Sequence, residues 1–196
     1  AHAKAIIQAW YPGALGGLAV AELLAGVFSP SGKLPVTFYR GDSKLPDFTD
    51  YAMKGRTYRY YGEEPLYPFG YGLGYTNFVF SDLLVEREDS GFRVSVDVRN
   101  EGEMKGTEKV QVYASFTDSR TATPRYQLCG LCPVELVPGE KKRICIDVNE
   151  YWICAVLSDG SRVKPDGEVM LYVGSHQPDP RSAYLTKTEC LVYPNP

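Results

Sequence analysis

From residue 92 the chain alternates. Phe92, Val94, Val96 and Val98 are separated by Arg93, Ser95, Asp97 and Arg99. A two-residue period puts every apolar side chain on one face of an extended strand and every polar one on the other. A helix cannot use such a pattern, because its faces repeat every 3.6 residues. Val110, Val112 and Ala114 repeat the alternation, as do Ile144, Ile146 and Val148, then Val169, Leu171 and Val173. Between these runs stand Asn100-Glu101-Gly102, Pro138-Gly139-Glu140 and Pro165-Asp166-Gly167, each with the residues that tight turns require. Residues 77–196 therefore predict antiparallel sheets with one face in a core and one in water.

About seven short strands at that spacing predict an immunoglobulin-like or fibronectin-III-like β-sandwich, so the fold class is mainly β. The chain has two earlier parts with different grammar. Residues 1–40 read as strand, helix, strand: Ala5-Ile6-Ile7-Gln8-Ala9-Trp10 suits a buried strand, and Tyr11-Pro12-Gly13 breaks it. Residues 14–25 carry Leu15, Leu18, Ala19, Glu22 and Leu23 at helical spacing, with Gly26 as a stop. Ser29-Pro30-Ser31-Gly32 then turns the chain into a strand over Leu34–Phe38. That rhythm belongs to an α/β layer, and one such unit cannot cover both faces of a sheet, so it reads as a remnant of a larger domain. Residues 41–76 have no period and are dense in Tyr, Gly and Pro. So many rings would be costly to leave in water, which predicts a linker glued to a neighbouring surface.

Composition narrows the function. With 21 Lys+Arg against 24 Asp+Glu, and no longer run of like charge than Lys141-Lys142-Arg143, nothing points to nucleic acid or to a membrane surface. No segment has the apolar length needed to cross a bilayer, and Ala1-His2-Ala3-Lys4 does not resemble a signal peptide. The start without Met, at the edge of an apolar strand, reads as a cut edge. Five Cys is an odd count and no Asn-x-Ser/Thr acceptor occurs, which favours a reducing, cytoplasmic compartment.

Four motifs carry a resemblance. Trp10-Tyr11-Pro12-Gly13 with Gly16-Gly17, followed by Pro30-Ser31-Gly32-Lys33-Leu34-Pro35-Val36-Thr37-Phe38, resembles the end of the second domain of glycoside hydrolase family 3. Gly55-Arg56-Thr57-Tyr58-Arg59-Tyr60 and Tyr67-Pro68-Phe69-Gly70-Tyr71-Gly72-Leu73-Gly74-Tyr75-Thr76 continue it. Val98-Arg99-Asn100-Glu101-Gly102 and Gly106-Thr107-Glu108-Lys109-Val110-Gln111-Val112-Tyr113 are similar to that family's fibronectin-III-like domain. Ala14-Leu15, Ser29 and Gly74 depart from the usual pattern and leave the subtype open. The resemblance implies a retaining β-glucosidase or β-xylosidase, which needs a nucleophilic and an acid/base carboxyl about 5 Å apart. In the family the nucleophile lies on a TIM-like barrel and the acid/base on the α/β sandwich ahead of the Trp-Tyr-Pro-Gly segment. Neither stretch is present, so no catalytic residue is assigned, no cofactor is expected, and the partners implied are the missing barrel and α/β sandwich and a carbohydrate substrate.

Trp10 and Tyr11 follow a predicted strand, where a ring can stack on a sugar, but an interface uses such rings equally well. The Tyr58–Tyr75 stretch is expected to cement the sandwich to the α/β layer, with Arg56 and Arg59 as interfacial cations that need carboxylate or carbonyl partners. Glu63 and Glu64 read as solvated loop charges. Arg40-Gly41-Asp42 precedes the sandwich and reads as a chance match to an adhesion tripeptide. Cys129-x-x-Cys132 is half a zinc site; Cys145 and Cys154 complete it only if the fold gathers them, and buried thiols are the expectation. Gly26–Lys33 imitates a phosphate loop, but it is one residue too long and Leu34 replaces the hydroxyl. His2 and His176 form no dyad. Two function classes follow: the supporting part of a β-glycosidase, or a free-standing carbohydrate-binding or adhesion module. A binding module has no use for an orphan strand–helix–strand, which favours the first.

Overall fold

The structure is a computed structural model that describes residues 3–41, 45–117 and 119–194. Three strands, β1 (Phe78–Glu88), β2 (Gly91–Asn100) and β5 (Lys141–Asn149), form one antiparallel sheet in the order β1-β2-β5. A second sheet runs in the order β4-β3-β8-β9, from β3 (Gly106–Thr117), β4 (Gln127–Leu136), β8 (Glu168–Gly174) and β9 (Leu191–Tyr193). The chain crosses between sheets after β2, and again after β4 through a turn in which Gly139 takes φ 78°, a left-handed conformation that suits glycine. A small hairpin, β6 (Ala155–Val156) and β7 (Arg162–Val163), fills the stretch before β8. This is the sandwich that the alternation predicts.

The core lies between the two sheets. Val94, Val96 and Val98 of β2, Val110 and Val112 of β3, and Leu171 and Val173 of β8 have no exposed surface. Phe92, Leu136, Ile146 and Val148 close around them. At the β2–β3 turn Asn100 is fully buried and fully bonded. Its amide donates to the Met104 and Leu136 carbonyls at 2.8 and 3.1 Å, and its oxygen accepts from Thr76 Oγ1 and the Gly102 amide. A buried amide is affordable only when satisfied in this way.

The first forty residues depart from expectation. The helix forms as α1 (Gly16–Leu24) and ends where Gly26 predicts. Gly26 takes φ 71°, its amide bonds to the Leu23 carbonyl and the Val27 amide to that of Glu22, the paired bonds of a Schellman stop. The flanking strands do not form. Residues 5–10 pair with nothing described, and Leu34–Phe38 contributes one isolated bridge, Phe38 to Tyr67. A strand exists only through its neighbour's hydrogen bonds, and the apolar run at 5–10 has none to join. Residues 45–76 contain a single helical turn, α2 (Thr57–Tyr60).

Candidate functional site

Part of the outer face of the four-stranded sheet, around Gln111 and Tyr113, is not wet. Alternation along β3 turns Gln111 and Tyr113 away from the core, yet Tyr113 has no exposed surface and Gln111 almost none. The aromatic segment covers them. Tyr58 stacks on Phe69 with ring centres 4.1 Å apart, and both meet the Tyr113 ring edge-on. Tyr113 Oη donates to Gln111 Oε1 at 2.6 Å, while Gln111 Nε2 donates to the Gly70 and Ser175 carbonyls at 3.1 and 2.7 Å. Gly70 sits at φ 77°, and a Cβ there would lie 2.3 Å from Gln111 Oε1. Burial pushes the Tyr113 hydroxyl well above the ordinary phenol range, and desolvation raises Tyr58 in the same direction.

A second seam laces residues 29–38 to 66–75. The Leu34 amide donates to the Tyr71 carbonyl, the Gly70 amide to that of Leu34, and the Phe38 amide to that of Tyr67, at 2.7–2.9 Å. The backbones come so close that a Cβ on Gly72 would lie 2.2 Å from the Gly32 oxygen. Lys33 crosses this seam: its Nζ donates to the Gly72 carbonyl and pairs with Glu108 of β3, both at 2.9 Å. Tyr75 reaches α1 through a hydrogen bond to the Leu23 carbonyl at 3.0 Å.

Where these segments meet the β8 end of the sheet, they leave a cleft of about 220 Å³. Tyr58 and Tyr61 supply an aromatic wall, Thr37 one side, and the Gln177–Arg181 loop the other. Two buried polar atoms of this lining, Thr37 Oγ1 and Gln177 Oε1, have no hydrogen-bond partner. The Gln177 backbone is fixed, because the His176 Nδ1 hydrogen points at the Gln177 carbonyl, 2.8 Å away. Arg125 donates to the Tyr61 carbonyl, and Arg181 Nε to that of Leu66. Asp179, the N-cap of α3 (Pro180–Thr186), accepts from the amide and hydroxyl of Ser182. Glu64 pairs with Arg40 at the exposed rim.

The sequence candidates fall in several places. Trp10 is half exposed, with its ring 6.4 Å from that of Phe38, and Tyr11 is fully exposed. The two rings do not share a pocket with the cleft residues. Arg56 turns back on its own loop, to the carbonyls of Ala52, Asp47 and Asp50. Arg59 does cross to the sandwich, donating to Gln127 Oε1 at 2.8 Å. Glu63 and Glu64 lie on the surface. Of Arg40-Gly41-Asp42, the last residue lies outside the described residues, as does His2. His176 is enclosed, bonded to Gln177 and Thr188. Cys129 is buried on β4, with its thiol pushed up to about 12 by desolvation, whereas Cys145 is exposed beside Ser95. Among the described residues no three His, Cys, Asp or Glu side chains are placed to share a metal ion. Lys33 belongs to an ion pair and not to a phosphate cradle. The residues to which sequence reasoning gave no role are Thr37, Arg125, Gln177 and Arg181, from three separate segments with no shared motif.

Comparison with known proteins agrees with the geometry. The profile of the glycosyl hydrolase family 3 C-terminal domain matches residues 1–75, and that of the fibronectin type III-like domain matches residues 108–177. A xylan 1,4-β-xylosidase of Xylanibacter ruminicola is 52% identical over 56% of this chain and 13% of its own length. A periplasmic β-glucosidase of Salmonella typhimurium is 36% identical over 77% of this chain and 22% of its own length. A β-glucosidase of Streptomyces venezuelae, solved with D-glucose, superposes with a TM-score of 0.78 at 32% identity, over 87% of this chain and 24% of that one. The chain thus spans about a quarter or less of these relatives. Those two signatures, in that order along one polypeptide, place the chain in glycoside hydrolase family 3, in its C-terminal region.

Proposed function

We infer that this chain is the supporting part of a retaining β-glycosidase acting on β-glucosides or β-xylosides, with nucleophile and acid/base carried by polypeptide beyond these 196 residues. Residues 1–40 belong in this reading to an α/β sandwich, 41–76 to a linker, and 77–196 to the fibronectin-III-like domain. The relatives are named β-xylosidase and β-glucosidase, and both cover far more chain than is present here.

One observation carries the reading. The sandwich has a complete core, while α1 buries only Gly16 and leaves Leu15, Leu18 and Leu24 more than half exposed. Ile6, Trp10 and Val27 are exposed as well. An apolar helix with no cover is built to dock, and further polypeptide of the same enzyme is the partner that the family reading supplies. A free-standing binding module leaves that surface without a purpose.

The test is hydrolysis of p-nitrophenyl β-glucoside and β-xyloside by the purified chain. No turnover is expected, because retention needs two carboxyl groups facing one glycosidic bond. Turnover that disappears when an Asp or Glu of this chain is replaced overturns the proposal.

A further inference from the structure

The loop that leads from β3 to β4 is tied at both ends. At its start the Asp166 carboxylate, on the turn before β8, gathers Ser119, Arg120 and Thr121. Oδ1 accepts from the Arg120 and Thr121 amides at 3.0 and 3.3 Å, and the Ser119 and Thr121 hydroxyls stand 3.0 and 3.3 Å from it. Oδ2 accepts from Arg120 Nε at 2.7 Å. The Arg120 bond, with those from Ser119 and Thr121, holds the Asp166 carboxyl well below the usual carboxylate range, so the acceptor is ionised at neutral pH. Gly167 lets the two backbones touch, since a Cβ there would lie 2.1 Å from the Thr117 oxygen and 2.8 Å from the Ser119 nitrogen.

At its end the same loop carries the linker helix α2. The Arg125 amide donates to the Arg59 carbonyl at 2.8 Å, and the Arg125 guanidinium to the Tyr61 carbonyl. The Leu128 amide donates to Tyr58 Oη at 3.2 Å, and Gln127 Oε1 accepts from Arg59 Nη2 at 2.8 Å. A single helical turn does not hold itself together in water, and α2 buries none of its own residues. Its seat is therefore set from outside. Between Thr121 and Arg125 stand only Ala122, Thr123 and Pro124. The two ties thus lie within about 14 Å of chain, and Pro124 removes one backbone freedom from that short span.

We propose that residues 119–128 act as a strap with two coupled clasps, so that the Asp166 turn governs how firmly α2 sits on the sandwich. With the first clasp open, residues 119–124 regain backbone freedom, and each bond of the second clasp must then order the loop before it forms. The competing anchor is Tyr126, whose ring meets that of Tyr172 edge-on at 5.7 Å and would hold residues 125–128 without help from Asp166. The strap consists of this chain's residues alone and does not rest on the glycosidase reading, so the two fail separately.

The experiment is amide hydrogen exchange, followed by NMR, on the 196-residue chain and its Asp166→Ala variant. The reporters are the Arg125 amide and the Tyr61 amide, which closes the α2 turn on the Thr57 carbonyl. Both are expected to exchange about tenfold faster in the variant, the equivalent of one hydrogen bond. The Leu34 and Phe38 amides of the other seam are expected to keep their rates to within about twofold. Coupling is reciprocal, so Arg125→Met, which loosens the second clasp, is expected to speed the Thr121 amide by a comparable factor. Asp166→Asn keeps the turn and removes the charge, and it carries the test if Asp166→Ala fails to fold. Unchanged exchange at Arg125 and Tyr61, with Tyr126 as anchor enough, overturns the proposal. So does a rise shared by Leu34 and Phe38, or a Thr121 amide indifferent to Arg125→Met.

Discussion

The ion pair between Lys33 and Glu108 holds the N-terminal segment to the sandwich, and its energetics are unlike those of the other pairs on this protein. The side chains are 15% and 8% exposed, with Nζ and Oε1 2.9 Å apart. At an effective dielectric constant of about 20, that distance corresponds to about 6 kcal/mol of gross attraction. Desolvating both ions cancels much of it, so the pair adds little net stability, but losing one partner of a buried pair costs about 3–5 kcal/mol. The two partners are not equivalent. Glu108 is fixed on β3, whereas Lys33 lies on a loop that can swing into water. Lys33→Met is therefore expected to cost about 2–3 kcal/mol, below the full figure because the loop relaxes, and Glu108→Gln about 1–2 kcal/mol. The double variant removes both charges and is expected to be no less stable than Lys33→Met alone. Urea unfolding followed by circular dichroism measures the cycle, and hydrogen exchange at the Leu34 and Gly70 amides locates the loss at the seam. If the double variant costs the sum of the singles to within about 0.5 kcal/mol, the partners are independent and the reasoning fails.

Asn100→Asp places a carboxylate oxygen where the amide now donates to the Met104 and Leu136 carbonyls, and is expected to cost about 3 kcal/mol at neutral pH. The introduced acid has a raised pKa in the fold, so its protonated form is the tolerated one. The loss should shrink in urea titrations run near pH 4 and grow as pH rises. Burial pushes the thiols of Cys129 and Cys190 up to about 12, so an aromatic disulfide reagent at about pH 8 should label exposed Cys145 first and these two only on unfolding. Both thiols are raised in the fold, so their contribution is intact below the unfolded thiol pKa of about 8.5 and is lost as pH climbs toward about 12. The denaturation midpoint should fall over that window.

Much of the sandwich was legible because its signal is local. Alternation along β2 names its own core residues, and Val94, Val96 and Val98 are all fully buried. The helix end was legible for the same reason, since Gly26 supplies the left-handed stop within the sequence that needs it. The strands at 5–10 and 34–38 were misjudged because strand formation is not local: an apolar run states a preference, and the partner decides. Only Phe38 found one, in Tyr67. The cleft was illegible for a stronger version of that reason. Thr37 lies in a motif that marks it for no binding role and Gln177 lies in none, and what sets them apart is the absence of a partner, which no sequence displays.

The outer face of β3 shows how far the alternation rule reaches. Its polar-side residues, Gln111 and Tyr113, sit where a wet face is expected, and they are as buried as the valines opposite. The face stays compatible with burial because each polar group is bonded: Tyr113 to Gln111, and Gln111 to Gly70 and Ser175. Ser115, further along the same face, is bonded in turn, to Tyr172 Oη at 3.2 Å. The tyrosine-rich segment makes the complementary choice, with rings to cover the sheet and glycines at 70 and 72 where the backbone itself must touch. The amphipathic reading of β3 is thus correct about which side meets the core, and at Gln111 and Tyr113 the other side is dry because the preceding segment lays flat apolar rings with hydrogen-bonding rims over it.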